Sequence, residues 1–129
     1  MAIQVVRFGA PRPRGDVLRI GTVRRLPRGV RRSDLALDHF DVWLPELAPG
    51  AELLSWAREQ PVTATRWATF ARRYCRELHT PAAQRLIALL VAMSARSDLA
   101  VGCYCEDESR CHRSLLRDLL REAGASIAG

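Results

Sequence analysis

The chain has 129 residues, 48% hydrophobic and 26% charged, with a formal net charge of +6. That composition is globular and excludes disordered and fibrous classes, and a chain of this size can bury about two thirds of its unfolded surface without disulfide or metal staples. The longest apolar run, Leu86 to Met93, is too short for a membrane span, and residues 1–14 lack a secretory signal, so the expectation is a cytoplasmic protein with no membrane partner.

Ile3 to Phe8 is β-branched and bounded by Gly9-Ala10-Pro11, which predicts a first strand. Pro11 to Gly15 reads as a loop and Val17 to Val23 as a second strand. Pro27-Arg28-Gly29 then forces a loop, because Pro lacks a donor and Gly permits positive φ. Ser33-Asp34 reads as the cap of a short helix over Leu35 to Phe40. Residues 41–50, broken twice by Pro, read as an ordered non-helical connection packing Trp43 and Leu44, with an added edge strand as the alternative. Pro49-Gly50 introduces a short helix, Ala51 to Glu59, ended by Pro61.

Thr63 to Leu78 is amphipathic, with Trp67, Phe70, Ala71, Tyr74 and Leu78 on one face. After Pro81 a second helix runs to about Ala95, predicted to bury Leu86, Leu89, Leu90 and Met93, with Ile87 and Val91 widening the stripe. Ser97-Asp98 is a turn, Leu99 to Cys105 reads as a buried strand, and Arg110 or Cys111 to Ala123 as a final helix with Leu115, Leu116, Leu119 and Leu120 inward. Strands near both ends with helices between them predict a small single α/β domain over residues 1–129. Its sheet is mostly parallel, flanked by helices, with the last strand central. Strand order and oligomeric state are left open.

All 20 basic residues are Arg, and residues 1–33 hold nine of them against the single acid Asp16. Clustered guanidinium groups match phosphate and carboxylate geometry, so a basic face is suited to a small anionic ligand. Nucleic acid is a further option, although no recognised nucleic-acid-binding motif is present. The bland alternative is a solvated Arg-rich surface.

The segment richest in chemistry is Cys103 to Arg113, which runs from a strand end into a helix start in the pattern C-x-C-x5-C-H. Ligands of open α/β sheets bind at the carboxyl ends of strands, and the N–H groups of a helix start favour anions. Cys103, Cys105, Cys111 and His112 offer a four-ligand set for Zn²⁺, although adjacent Cys111 and His112 diverge by about 100° unless the helix starts after them. Thiol chemistry is a second option. Cys105 to Arg110 has the C-x4-R spacing of rhodanese-like loops, opposed by Glu106, Asp107 and Glu108, which repel anions and raise the thiol pKa. Small buried cysteines in a reducing cytosol, with His112 hydrogen-bonding locally, are the third. His112 is also suited to general acid–base chemistry, and Arg24, Arg28 and Arg113 to anion contacts; the structural alternative pairs Arg113 with Glu106, Asp107 or Glu108. Cys75 reads as packing, His79 as complementing a helix dipole, and Trp43, Trp56 and Trp67 as core.

These segments together resemble the YeaO-like family, the bacterial domain of unknown function 488. The resemblance rests on Arg7 in the first strand, the Arg19 to Gly29 stretch, Asp41 to Pro49, Glu52-Leu53 with Trp56, Phe70 with Arg73-Tyr74 and Glu77-Leu78, and Cys111-His112-Arg113 before a Leu-rich helix. It implies an α/β fold and carries no established activity. Many relatives have an acid and a tryptophan where this chain has Val23 and Leu26, so a role resting on that acid does not transfer. Some relatives have Asn-His in place of Cys111-His112 and lack the other two cysteines. A three-thiol metal site therefore belongs to one branch, and the resemblance singles out His112 as the shared ligand-contacting position.

Overall fold

The computed structural model describes residues 1–128, apart from the side chain of Glu108. Four strands, β1 (Ile3–Arg7), β2 (Leu18–Gly21), β3 (Val42–Trp43) and β4 (Leu99–Cys103), form one parallel sheet in the order β1-β4-β2-β3. The helices are α1 (Leu35–Asp38), α2 (Ala51–Arg58), α3 (Ala64–Glu77), α4 (Pro81–Ser94) and α5 (His112–Glu122). The architecture is the expected α/β one. β4 is central and parallel to both neighbours, pairing Leu99 with Ile3 on one side and with Leu18 on the other.

β4 is buried along its whole length, which is why it reads as an unbroken apolar run. Its Leu99 and Val101 join Ile3, Ile20, Phe70, Tyr74, Ile87, Leu90, Leu116 and Leu120 in the main core against α3, α4 and α5. Its alternate positions, Ala100 and Gly102, are small. A Cβ on Gly102 would stand 2.4 Å from the Val6 carbonyl oxygen and 2.9 Å from the Phe8 ring, and one on Gly21 would stand 2.6 Å from the ring of Phe40. Phe8 and Phe40 thus rest on bare backbone and build a second, smaller core with Val23, Leu35, Cys103 and Cys111.

Local signals account for the helix boundaries. The side chains of Thr63 and Thr80 accept from the backbone N–H groups of Arg66 and Ala83, capping α3 and α4, and Pro81 occupies the first turn of α4. Gly124 stops α5 with φ of 105°.

Several expectations shift. The last strand ends at Cys103 rather than Cys105. Ser33-Asp34 lies in a 3₁₀ turn, Arg32–Asp34, where no side-chain cap bond forms, and α1 stops at Asp38. Segment 41–50 does add an edge strand, followed by a 3₁₀ turn at Pro45–Leu47, with Trp43 Nε1 donating to the Val23 carbonyl at 2.7 Å. On α4 the buried stripe is Ala83, Ile87, Leu90 and Ser94, while Leu89 is 54% exposed. The helix is apolar all round from Leu86 to Met93 and carries little phase information there, so its orientation is set by the sheet it meets.

The Arg-rich start of the chain is partly structural. Arg12 places all five N–H groups: Nη1 and Nη2 fork onto the two Asp41 oxygens at 2.9 and 3.0 Å, both nitrogens also reach carbonyls (Ala36 and Val17, 2.8 Å each), and Nε bonds Asp16 at 3.3 Å. Arg19 Nε joins Asp16 at 2.7 Å, and the Arg19 backbone N–H donates to Asp41 at 2.8 Å. This network ties the loop after β1 to the start of β3.

Two outcomes follow. Gly102→Ala should destabilise the fold by about 1–3 kcal/mol or more, because the clash is with backbone; denaturant titration reads this. The Arg12 fork holds the Asp41 carboxyl below its usual range despite partial desolvation, so its stabilisation is present at neutral pH and fades as pH falls through that depressed value. Asp41→Asn should therefore cost about 1–2 kcal/mol at pH 7, with variant and wild type converging in acid.

Candidate functional site

The carboxyl end of β4 delivers the cysteine cluster. Cys103 closes the strand, Tyr104 and Cys105 leave it, and the chain returns through a 3₁₀ turn at Glu108–Arg110 to Cys111, the N-cap of α5. Cys111 is extended, with φ −124° and ψ 151°, so its thiol departs from pre-helical backbone and the divergence from His112 is relieved. The Sγ atoms of Cys103 and Cys111 lie 3.2 Å apart, and Cys111 Sγ is 3.6 Å from His112 Nδ1. These two thiols and the imidazole each offer a donor atom, all within 4.8 Å of one another. Cys105 is not in that group; it is exposed at the edge of the cluster.

His112 is held by Thr22, the residue after β2. Its Nε2 is 2.8 Å from the Thr22 carbonyl oxygen and 3.3 Å from Thr22 Oγ1, which itself donates to the Gly102 carbonyl at 3.1 Å. A carbonyl only accepts, so Nε2 carries the proton and Nδ1 presents a lone pair toward the thiols. The edge of the Tyr74 ring closes the other side, 5.6 Å between centroids. Hydrogen bonds from Cys105 and Cys111, with burial, push the Cys103 thiol up. The bond from Cys103, with a further one from Cys105, pulls Cys111 down against burial, as its place at a helix start also favours. Burial pushes the Tyr104 hydroxyl up to about 12, so it stays protonated beside His39 Nδ1, 2.7 Å away.

A cavity of about 340 Å³ opens over this cluster. Cys103, Tyr104, Cys105 and His112 form one side; Val23, Arg24 and Arg25 after β2, and Ser55 and Arg58 of α2, are among the residues forming the rest. Among the described residues no carboxylate lines it. Of the expected anion contacts, His112 and Arg24 face this cavity. Arg24, however, spends Nε and Nη2 on the carbonyls of Pro49, Pro45 and Ala48 at 2.9–3.1 Å. Arg28 is exposed and outside the lining. Arg113 is 4% exposed, with Nη2 on the Cys105 carbonyl at 2.6 Å and Nε without a partner. Glu106 instead meets Arg7 and Asp107 meets Ser109, while the Glu108 side chain lies outside the described residues. Arg110 stacks over Trp67 and lines a different, smaller cavity, so the C-x4-R spacing does not place it with Cys105.

Sequence reasoning did not name Arg25 or Arg58 as contacts, although Arg25 lies in the basic Arg24 to Arg32 segment that it joins to the cysteine loop as one face. Arg58 ends α2, where a basic residue reads as ordinary dipole complementation, and only the crossing from β2 to α2 brings it opposite Cys105.

Residues 3–124 match the family described as the active DUF488-N3 subclade. The chain is 32% identical over 105 residues to the uncharacterized protein Rv3073c of Mycobacterium tuberculosis, covering 81% of each chain. It is 31% identical over 123 residues to the uncharacterized protein YeaO of Escherichia coli, covering 94% of this chain and 98% of that one. No solved structure matches. Among the described residues no helix is long and apolar enough to cross a membrane. With nearly the whole chain matched, this protein belongs to the YeaO-like family, domain of unknown function 488.

Proposed function

We propose that the chain binds a small anionic molecule, a nucleotide or phosphorylated metabolite, in the cavity at the carboxyl ends of β2 and β4. The observation that carries this reading is the lining: three arginines, Arg24, Arg25 and Arg58, and no carboxylate among the described residues around about 340 Å³. That volume is within the range of small-molecule sites, about 300–1,000 Å³. Its place at the strand ends is where α/β sheets take ligands. Arg25 and Arg58, both exposed along their length, are free to fork onto phosphate oxygens. Arg24, anchored to three carbonyls, supplies a fixed positive charge. His112 is the polar group at the floor, and the description of the matched subclade as active accords with chemistry there.

A melting-temperature screen with nucleotides, sugar phosphates and inorganic phosphate tests this. A phosphate-bearing compound should raise the melting temperature, and the Arg25→Ala, Arg58→Ala double variant should melt like wild type yet lose that rise. Flat curves across the panel overturn the reading. Arg24→Ala should instead melt lower with no ligand present, by about 1–3 kcal/mol of stability, because three carbonyls lose their partner.

A further inference from the structure

We propose that Cys103, Cys111 and His112 form a zinc centre whose fourth position is open toward the arginine-lined cavity. Four-coordinate zinc holds sulfur at about 2.3 Å and nitrogen at about 2.0–2.1 Å, which spaces tetrahedral ligands about 3.5–3.8 Å apart. The Cys111 to His112 Nδ1 separation of 3.6 Å matches that spacing, and the Cys103 to Cys111 separation of 3.2 Å is about 0.6 Å short of the sulfur–sulfur value. Three donors of the types zinc prefers thus already stand near three corners of a tetrahedron.

The imidazole is set for the role. Its Nε2–H is committed to the Thr22 carbonyl, so the lone pair lies on Nδ1, 3.6 Å from the Cys111 sulfur. This is the outer-shell arrangement that fixes tautomer and ring plane in histidine metal sites. Thr22 is in turn fixed by its hydroxyl on Gly102. Cys103 and Cys111 are each 2% exposed and His112 6%, so the donors are rigid and shielded. A hydrogen-bonded thiol pair in a small core accounts for the sulfur contact alone; a zinc centre accounts also for the imidazole lone pair that Thr22, just after β2, holds toward Cys111.

The centre differs from a closed four-ligand site in the position of Cys105. That thiol is exposed on the cavity wall, bonded to the Cys103 and Cys111 sulfurs but outside the group of donors that converge within 4.8 Å, so the fourth corner faces the cavity that Cys103 and His112 also line. Binding exchanges the two thiol protons for the cation, so zinc and two thiolates are together neutral. Arg113, buried nearby with its Nε unpartnered among the described residues, adds a positive charge. An anion, hydroxide or a ligand oxygen, is the favoured fourth ligand. Only this last point rests on the anion-binding reading.

The test is elemental analysis of chain purified without a histidine tag under reducing conditions, then chelation and replacement by cobalt(II) with no anion added. Expected are about one zinc per chain, a sulfur-to-cobalt charge-transfer band, and a melting temperature that falls on chelation and recovers with zinc. Cys111→Ser and His112→Gln should drop metal content to background, and Cys105→Ser should keep it. Should the buried variants fail to fold, chelation and recovery of wild type together with the exposed Cys105→Ser variant decide the matter. No zinc uptake from an equimolar solution overturns the centre, and metal loss in Cys105→Ser overturns its open position. Inorganic phosphate added afterwards should change the cobalt spectrum; an unchanged spectrum also refutes the open position while leaving the melting screen to judge the anion pocket on its own.

Discussion

The absence of a side chain at Gly102 is the constraint on which the sheet and its site both depend. There is no room for a Cβ between Gly102 and the Val6 carbonyl, so three parallel strands close up only with bare backbone at this point. The same residue's carbonyl receives both the backbone N–H and the hydroxyl of Thr22, 3.0 and 3.1 Å away. Thr22 then holds His112, and His112 faces Cys111. A packing requirement at the centre of the sheet is thereby continuous with the protonation pattern at its edge.

Much of this was legible in the chain. A run such as Leu99 to Cys103 is apolar at every position only when both faces are covered, which marks a central parallel strand. Thr63 and Thr80 announced their helices through cap chemistry, and the loop holding Cys103 to His112 stood out by composition and by its place after a strand. What stayed hidden was tertiary. Nothing near Arg24 in sequence shows that the carbonyls of Pro45, Ala48 and Pro49 will converge on it. Nor does anything near Arg58 show that α2 will present it to the loop beyond β4. Cys105 resembles its neighbours in sequence, and only the end of the strand at Cys103 separates it from them.

The uneven charge distribution also changes meaning in three dimensions. Nine arginines in the first 33 residues suggest a basic surface, yet Arg12 and Arg19 are absorbed by Asp16 and Asp41 and Arg24 by backbone carbonyls. A guanidinium with five directed donors can tie together loops that have no regular backbone pairing, which a lysine cannot do with three donors on one nitrogen. Arginine richness here serves first to organise the long connections around β2 and only then to charge the rim of a cavity.

Placing β4 between β1 and β2 also dictates when the protein can come into being. Ile3 finds its partner in Leu99, and Leu18 finds its partner in the same residue. Neither early strand has its main neighbour until more than three quarters of the chain has been made. On the ribosome β1 must wait unpaired and β2 has only the two-residue β3 beside it, while α3 and α4, whose backbone hydrogen bonds are local, are free to form early. The sheet then closes in a late step around a single incoming strand, and the cysteine loop that follows it is among the last parts of the molecule to take shape.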